Sequence, residues 1–372
     1  MLFLYLQFLK LQNFRNYISK EVVWHPRLNI ITGLNAQGKS NLLEAIYYLS
    51  IASSFRNSKD QDVVRWGQYF FYIEGAVNKK NGIYTISLGY SLDKRKVVKV
   101  NGNNQKKTGD ILGILNTVMF SPEDLAIVKS SPVARRKYLD REIIQLFPTY
   151  YYTLSQYYKT VNQRNSLLKE IRENRRKEND LEIWDQQLVK FGSEILKKRL
   201  EVLKMLTPLA RLMHRKITHG NEDLEVSYEA VEGEEILKSS TIKEINTILI
   251  DKLWKNRSNE INRGVSLIGP HRDDLKLLVN NVDVRKFGSQ GQQRTTALSL
   301  KMAELEMMKA QTSEYPILLL DDVMSELDTE RRNHFLDLIG EKVQTFLTVT
   351  DFDFSLKDAQ KWLVDKGNLE KI

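Results

Sequence analysis

The spacing of apolar residues changes twice along this chain of 372 residues. The first section contains short apolar runs separated by polar turns, such as FFYIEGAV, GIYTISLGY and KVVKV, and Asn101-Gly102 is typical of a hairpin turn. The N-terminal run MLFLYLQFL lacks the basic flank and small-residue cleavage site of a signal peptide, so it predicts a first strand ending near Lys10. These features favour a strand-rich N-terminal section.

In the middle of the chain apolar residues recur every three or four positions, which predicts helices from about 134 to 218. One such series is Leu181, Trp184, Leu188, Phe191 and Ile195. Residues 169–180 have no apolar face and are expected to join two antiparallel helices, and Pro208 is expected to kink or end the second. From about 264 strands and helices alternate again, ending in LTVTDFDF and a short helix.

Residues 33–41, GLNAQGKSN, fit the pattern G-x-x-x-x-G-K-[ST] at every required position. An apolar run precedes them, and a helical series follows. Glycines let backbone N–H groups approach a phosphate chain, lysine adds positive charge, the serine hydroxyl can ligate Mg²⁺, and the helix directs its positive end at the anion. The pattern therefore predicts a phosphate-binding loop formed by Gly33, Leu34, Asn35, Ala36, Gln37, Gly38, Lys39, Ser40 and Asn41.

Residues 316–328, PILLLDDVMSELD, form an apolar run that ends on two carboxylates. Because Mg²⁺ held by Ser40 needs further hard oxygen ligands, Asp321 is the expected acidic ligand, on a strand beside the loop. Asp322 follows directly, where a carboxylate could orient or deprotonate an attacking water. A core strand with a solvated acidic end is the simpler interpretation, but the intact phosphate loop favours the functional one.

The distance along the chain between these motifs indicates a split fold. Lys39 and Asp321 are separated by 282 residues, more than a compact P-loop domain needs. We therefore expect an α/β nucleotide-binding head in two halves, residues 1–134 and 264–372, with an inserted helical domain over residues 135–263.

Two further segments carry candidate chemistry. In FGSQGQQ, Ser289 is expected to cap a helix starting near Gly291, either as a plain N-cap or as an anion site. In GPHRDD, His271 permits two interpretations, a group that senses the γ-phosphate or part of a structural turn in which Arg272 pairs with Asp273 or Asp274. The sequence leaves both open.

The charge balance suits a polyanionic partner without proving one. Lys plus Arg number 56 against 47 for Asp plus Glu, a net charge of +9. The absence of cysteine excludes disulfides and fits a reducing cytosol. The sequence contains no uninterrupted apolar run of about 18 residues, so no membrane span is predicted. Each basic residue alone is explained as a solvated charge, but together several could contact a nucleic-acid backbone: Arg56, Lys59, Arg65, Lys94, Arg95, Lys96, Arg135, Arg136 and Lys137.

The order of the phosphate loop, the serine–glycine–glutamine signature, LLLDD and SELD resembles that of ABC-type ATPases. More narrowly, the chain resembles the RecF family of bacterial DNA replication and repair proteins. The resemblance covers both halves of the split head and little of residues 140–260. It rests on LQNFRNY, GLNAQGKSNLLEAIYYLS, FSPEDL, SPVARRKYLD, LIGPHRDDL, GSQGQQRTTALSLK and LLLDDVMSELD.

The resemblance implies ATP and Mg²⁺ as cofactors of a slow, DNA-dependent ATPase. Lys39 and Ser40 would hold the β- and γ-phosphates and Mg²⁺, with Asp321 as the acidic ligand and Asp322 near the attacking water. Ser289, Gly291 and Gln292 would reach the γ-phosphate bound by the opposite subunit of an ATP-dependent homodimer. Ser325 and Asp328 would lie at the dimer seam.

Two positions depart from the family pattern. Ala36 stands where glycine is common, which is tolerable only if that residue avoids a positive φ angle. Asp322 stands where ABC transporters have glutamate; its side chain is one methylene shorter, which favours slow hydrolysis.

The resemblance also implies the wider role. Proteins of the RecF family bind double-stranded and gapped DNA in an ATP-dependent manner and work with the mediators RecR and RecO to load RecA. This implies a cytoplasmic protein of recombination, replication-fork maintenance and the SOS response. An architectural ATPase related to chromosome-maintenance (SMC) proteins is the alternative, but their long coiled coil is absent. A GTPase would need N-K-x-D, and the nearest string, residues 78–81, lacks the aspartate. A transporter ATPase would need a membrane partner, and it would not need a large helical insert of this kind.

Overall fold

The computed structural model describes residues 4–56, 58–238, 241–323, 343–350 and 359–372. The chain divides into two compact units: Met1–Asp124 with Leu298–Ile372, and Leu125–Ala297. The second unit is therefore larger than the predicted insert of residues 135–263. It includes the helix Pro132–Leu146 and the strand Asp274–Val279, because these two elements pack against each other.

The first unit contains an antiparallel sheet in the order β2-β1-β4-β5-β6-β7, built from β1 (Tyr5–Phe14), β2 (Tyr17–Val23), β4 (Phe70–Lys79), β5 (Gly82–Ser91), β6 (Lys94–Val100) and β7 (Asn103–Asn104). Buried residues alternate with more exposed ones along β4, as expected for a strand with one face in the core. The hairpin predicted at Asn101-Gly102 is confirmed, with positive φ angles at both residues.

A second, mainly parallel sheet has the order β15-β14-β3-β13-β12-β8, built from β3 (Leu28–Thr32), β8 (Thr117–Phe120), β12 (Ile317–Asp321), β13 (Thr345–Val349), β14 (Ala359–Asp365) and β15 (Asn368–Lys371). Among these described strands, β15 alone pairs antiparallel with its neighbour. Every residue of β12 is buried, which explains its continuous apolar run.

Helix α1 (Lys39–Ile51) contacts strands of both sheets. Leu42, Ile46 and Leu49 of this helix are fully buried in the main core of this unit. The first residues of α1 are thereby held at the carboxyl end of β3. Among the described residues of this unit, the other short elements are α2 (Asp60–Val63) and the 3-10 turns Thr108–Ile111 and Pro122–Asp124.

The second unit packs helices around a three-stranded sheet of order β11-β10-β9. Its strands are β9 (Leu224–Glu229), β10 (Asp274–Val279) and β11 (Val282–Asp283). Its helices are α3 (Leu125–Lys129), α4 (Pro132–Leu146), α5 (Pro148–Arg172), α6 (Leu181–Ile217), α7 (Glu235–Lys238), α8 (Ile242–Arg263) and α9 (Val284–Phe287), with a 3-10 turn at Glu178–Asp180. Helix α10 (Gln290–Thr312) crosses the division between the units.

Three sequence-based expectations of local structure need correction. The first strand does not end near Lys10 but continues to Phe14. Pro208 does not end α6, because buried residues beyond it, such as Met213 and Ile217, keep the last turns packed against the core. The chain ends in the hairpin β14–β15 rather than a helix, and Val364 is buried there.

Buried ionic groups tie the helices of the second unit together. The guanidinium group of Arg164 on α5 is fully buried and donates hydrogen bonds to Asp185 on α6 and Glu260 on α8. The Glu260 side chain is also fully buried. Each charge is therefore compensated inside the protein, which burial requires.

Candidate functional site

Residues 33–38 form a tight loop between β3 and α1, and two positions of this loop accept only glycine. Gly33 has a φ of 146° and Gly38 a φ of 118°. A Cβ atom at Gly33 would lie 2.3 Å from the carbonyl oxygen of Val364, and one at Gly38 would lie 2.4 Å from Nδ2 of Asn16. The glycines of the phosphate-loop pattern are thus required by both backbone conformation and close packing.

Ala36 contradicts the expectation that it avoids a positive φ angle. Its φ is 64°, in the left-handed region that disfavours residues with a Cβ atom. The loop keeps this conformation because the neighbouring Gln37 is held by hydrogen bonds through its carbonyl group and its side chain.

The loop is held from behind by residues that the motif does not contain. The carbonyl oxygen of Gln37 accepts hydrogen bonds from Asn16 Nδ2 (2.7 Å) and from the backbone N–H of Gly367 (3.0 Å). Its side-chain oxygen accepts one from the backbone N–H of Lys366 (2.7 Å). Asn16 lies in LQNFRNY and Lys366-Gly367 in the turn of the C-terminal hairpin, so segments distant in sequence fix the loop. LQNFRNY was the sequence signal for Asn16; nothing in the sequence indicated Lys366.

The ammonium group of Lys39 donates hydrogen bonds to the carbonyl oxygens of Gly33 and Leu34 in its own loop. Burial lowers the pKa of Lys39, and the carboxylates of Asp322 and Asp321 oppose that shift. The ammonium group is therefore desolvated next to two negative charges, where an arriving phosphate group can replace the carbonyl oxygens as its partner.

The hydroxyl of Ser40 and the carboxylate of Asp321 meet as the sequence predicted. Ser40 Oγ lies 2.7 Å from Asp321 Oδ1. The strand carrying Asp321 is not directly beside β3, because β13 lies between them. Thr348 on β13 donates to the same Asp321 oxygen at 2.9 Å and fixes its orientation. Thr348 was missed from sequence, since a threonine within an apolar run is typical of any strand.

Asp322 follows β12 in a strained conformation, with a φ of 53°. Its backbone N–H donates a hydrogen bond to Thr348 Oγ1 at 2.9 Å. The residue lines the same cavity as Lys39 and Ser40. Thr348 therefore positions both acidic residues.

Arg56, predicted as a DNA contact, lies at this site instead. Its guanidinium group donates to Asn41 Oδ1 at 3.0 Å and lies 4.0 Å from Asp321 Oδ2 and 3.8 Å from Glu44. It lines the phosphate-loop cavity together with Lys39. The two nearby carboxylates, Asp321 and Glu44, explain the position of this half-buried side chain, and the local sequence carried no signal for it.

Two neighbouring cavities adjoin the loop. The first, of about 300 Å³, is bounded by Lys39, Ser40, Asp321 and Asp322. The second, of about 600 Å³, includes Arg15, Asn16, Arg65 and Trp66. Both are lined by Ala36 and Asn41. Trp66 is 94% exposed.

Ser289, Gly291 and Gln292 lie in the second unit, at the start of α10. Ser289 Oγ accepts the backbone N–H of Gln292, whose side-chain oxygen accepts the backbone N–H of Ser289. This reciprocal pair is a capping box, so the predicted cap is confirmed. Gln292 is further fixed by a hydrogen bond from its Nε2 to Glu222.

Other predicted residues lie outside the described residues or make contacts that differ from the predicted ones. Ser325 and Asp328 lie outside the described residues. Arg135 is 2% exposed and makes two hydrogen bonds to Asp274, so its inclusion among the DNA contacts was wrong: burial removes it from the surface. Lys96 is held by Asp60 and the carbonyl oxygen of Ala52.

Further basic residues differ in their exposure. Arg136 is partly exposed and donates to the carbonyl oxygen of Asp273. Arg65 is half-buried. The exposed members of the predicted set are Lys59, Lys94, Arg95 and Lys137.

His271 belongs to a buried network in the second unit. Its Nδ1 pairs with the hydroxyl of Tyr157 at 2.7 Å, and burial lowers its pKa to about 4. Arg272 donates to the carbonyl oxygen of Ser266 rather than to either neighbouring aspartate. The predicted pairing of Arg272 was wrong, while a structural role for His271 accounts for its contacts.

The donor set at the loop fits a magnesium ion. A hydroxyl and a carboxylate 2.7 Å apart are hard oxygen ligands, and Mg²⁺ normally takes only one or two carboxylates and completes its shell with water and substrate phosphates. Among the described residues no group of three or more His, Cys, Asp or Glu side chains forms another metal site, and no helix there could cross a bilayer.

Comparison with known proteins places this geometry in a family. Residues 5–363 match the model of the RecF/RecN/SMC N terminal domain. The chain is 46% identical to a "DNA replication and repair protein RecF" from Halothermothrix orenii over 356 residues, covering 95% of this chain and 94% of the relative. It is also 46% identical to a protein of the same name from Bacillus cereus strain G9842, covering 97% of each.

Solved structures show the same fold. One described as the recombination mediator protein RecF with ATP, in the RecFOR pathway, superposes with a TM-score of 0.93 at 41% identity and covers 100% of this chain and 98% of its own. The Smc head of Pyrococcus furiosus superposes with a TM-score of 0.57 at 16% identity over 99% and 96% of the two chains, a likeness of fold alone. The fold is thus the ABC-type ATPase head, and the chain belongs to the RecF family of DNA replication and repair proteins.

Proposed function

We propose that this chain is a cytoplasmic, ATP-dependent DNA-binding protein of recombinational repair and replication-fork maintenance. The observation that carries the proposal is the contact between Ser40 and Asp321, 2.7 Å apart beside a strained glycine loop. That arrangement serves to hold a metal-bound triphosphate. The RecF relatives and the ATP complex of a 41% identical RecF support the assignment to ATP.

At the phosphate loop each residue has a separate task. Lys39 exchanges its two carbonyl partners for β- and γ-phosphate oxygens. Ser40 and Asp321 would hold Mg²⁺, which would supply positive charge against the developing phosphate charge. Arg56, close to Asp321, adds a second positive charge to the cavity.

The larger cavity accommodates the nucleoside. It shares Ala36 and Asn41 with the phosphate cavity, so a nucleotide whose phosphates contact Lys39 extends directly into it. Trp66 presents an exposed aromatic face there, and such faces stack on bases.

Hydrolysis is slow because the candidate base is short. The backbone N–H of Asp322 donates a hydrogen bond to Thr348, which holds the residue in place. Its side chain has one methylene fewer than that of glutamate, so its carboxylate reaches less far toward the attacking water. Single-turnover hydrolysis by Asp322→Asn tests whether this carboxylate takes part in the reaction. A wild-type rate in that variant would remove Asp322 from the mechanism.

Two copies close around two ATP molecules. Ser289, Gly291 and Gln292 of one subunit reach the γ-phosphate held by the other, with Ser325 and Asp328 at the dimer seam. Because Ser289 Oγ already accepts the Gln292 N–H, its own hydroxyl proton is available to donate to a phosphate oxygen.

The dimer binds double-stranded and gapped DNA through its exposed basic residues. Lys59, Lys94, Arg95 and Lys137 are the candidates, with the partly exposed Arg65 and Arg136. Phosphate contacts of this kind weaken steeply with salt. An affinity unchanged between low and high salt would refute this part.

RecR and RecO are the proposed mediator partners in loading RecA. The family relationship to RecF supports them, as does the solved RecF described within the RecFOR pathway. The alternative, an SMC-like architectural ATPase without a mediator role, predicts normal ATP-dependent DNA binding but no acceleration of RecA loading when RecR and RecO are added.

The deciding experiment is the solution mass by light scattering, with and without ATP and Mg²⁺, for wild type, Lys39→Met and Ser289→Arg. Wild type alone should change from monomer to dimer. If ATP binds and the mass never changes, with or without duplex DNA, the trans site is wrong.

A further inference from the structure

Helices α6 and α8 form a groove on the surface of the second unit. They run antiparallel: Arg257 donates to Asp185 at 2.6 Å, and a Cβ atom at Gly192 would lie 3.7 Å from Leu249 Cδ1. The groove between them encloses about 460 Å³. This volume lies in the range of sites that bind ligands.

The α6–α8 groove is lined by apolar side chains left exposed to solvent. On α8, Trp254 is 74% exposed, Ile250 58% and Ile242 43%. Their spacing of four and eight residues places them along one side of the helix, over about 18 Å. Apolar side chains grouped in this way mark interaction sites more often than scattered ones do.

The surrounding packing suggests what shape would fill the groove. Helix α5 packs against both α6 and α8 and leaves the groove side uncovered. A further helix lying in the groove would complete a four-helix arrangement, in which each helix buries an apolar stripe.

Charge argues against DNA as the occupant. Asp185 is compensated by Arg164 and Arg257. The other charged lining residues are Glu182, Glu194 and Lys190, which leave a slightly acidic rim on a chain with net charge +9. Phosphate groups would be repelled here, whereas a neutral or basic protein segment would not.

A polar feature of the groove also lacks a partner in the present structure. Oδ1 of Asn246, midway along the lining face of α8, is buried without a hydrogen bond. An unpaired buried acceptor is costly, and a donor on a bound helix would satisfy it once the carboxamide turned toward the groove.

We propose that the α6–α8 groove is a docking site for an amphipathic helix of a partner protein, which inserts large apolar side chains between Ile242, Ile250 and Trp254 and places a basic residue near Glu182. This inference does not depend on the ATP site.

The test uses the full-length protein and a phage-displayed library of amphipathic helical peptides. Selected peptides are measured by fluorescence anisotropy against wild type, Ile250→Lys and Trp254→Ala. The matched control is Ile183→Lys, which changes a 65% exposed isoleucine on α6 outside the groove lining. All three positions are exposed, so folding should be unaffected, and melting curves check this.

We expect peptides with apolar residues every three or four positions, whose Kd rises about tenfold or more in Ile250→Lys and Trp254→Ala and stays constant in Ile183→Lys. Equal binding to all variants, or no selected peptide, would overturn the proposal. So would nucleotide-independent self-association abolished by Ile250→Lys, which would assign the groove to a second copy. Weaker duplex DNA binding by Trp254→Ala would assign it to nucleic acid.

Discussion

Removal of the Trp66 side chain should weaken ATP binding while leaving triphosphate binding intact. Because Trp66 is 94% exposed, Trp66→Ala should cost the folded protein little stability. Stacking of a base on an aromatic ring contributes about 1–3 kcal/mol, so the Kd for ATP should rise about 5- to 150-fold. Trp66→Phe should retain most of the affinity. The contacts of Lys39 and Ser40 with phosphate do not involve Trp66.

Isothermal titration calorimetry with ATP and with inorganic tripolyphosphate, each with Mg²⁺, separates the two cavities. The control Tyr69→Ala removes an aromatic side chain that is 72% exposed and outside the lining of the larger cavity. Lys39→Met should lose both ligands. If Trp66→Ala bound ATP as wild type does, or lost tripolyphosphate as well, the nucleoside would not lie against Trp66.

Three further predictions concern stability, each measured by urea unfolding. Ala36→Gly should stabilise the protein by about 0.5–1 kcal/mol, because it relieves a positive φ of 64°; a loss of stability would mean that the loop is not strained there. Arg164→Leu should cost about 3–5 kcal/mol by leaving the buried Glu260 carboxylate without its charge partner. Arg211→Leu, at a solvent-screened ion pair, should cost far less, and similar losses would contradict the burial argument. Burial, reinforced by Asp273, raises the pKa of Glu232 from 4.5 to about 8, so wild type should lose stability as pH rises through that window, by at most about 5 kcal/mol. Glu232→Gln should remove this loss. If the free energy of unfolding fell equally in wild type and variant between pH 5 and pH 9, Glu232 would be excluded as its source.

Local patterns predicted the elements around the site because their causes are local. The glycines of residues 33–38, the apolar run ending at Asp321 and the cap at Ser289 each reflect backbone geometry or burial within a few residues. The contact between Ser40 and Asp321 was also predictable, since Mg²⁺ requires such a pair and few carboxylates follow a strand of this kind.

The sequence by itself determined the chemistry of the phosphate loop, the order of its motifs and the family they belong to. Only the tertiary structure decided which distant residues complete the site. Thr348 orients Asp321, the turn at Lys366 fixes Gln37, and Arg56 lines the cavity that Lys39 also lines. Arg135 and Arg56 look alike in the sequence, and only the tertiary structure buries Arg135 beside Asp274 and leaves Arg56 half-buried near Asp321. Such pairings depend on how separate strands and helices meet, which no local pattern of residues encodes.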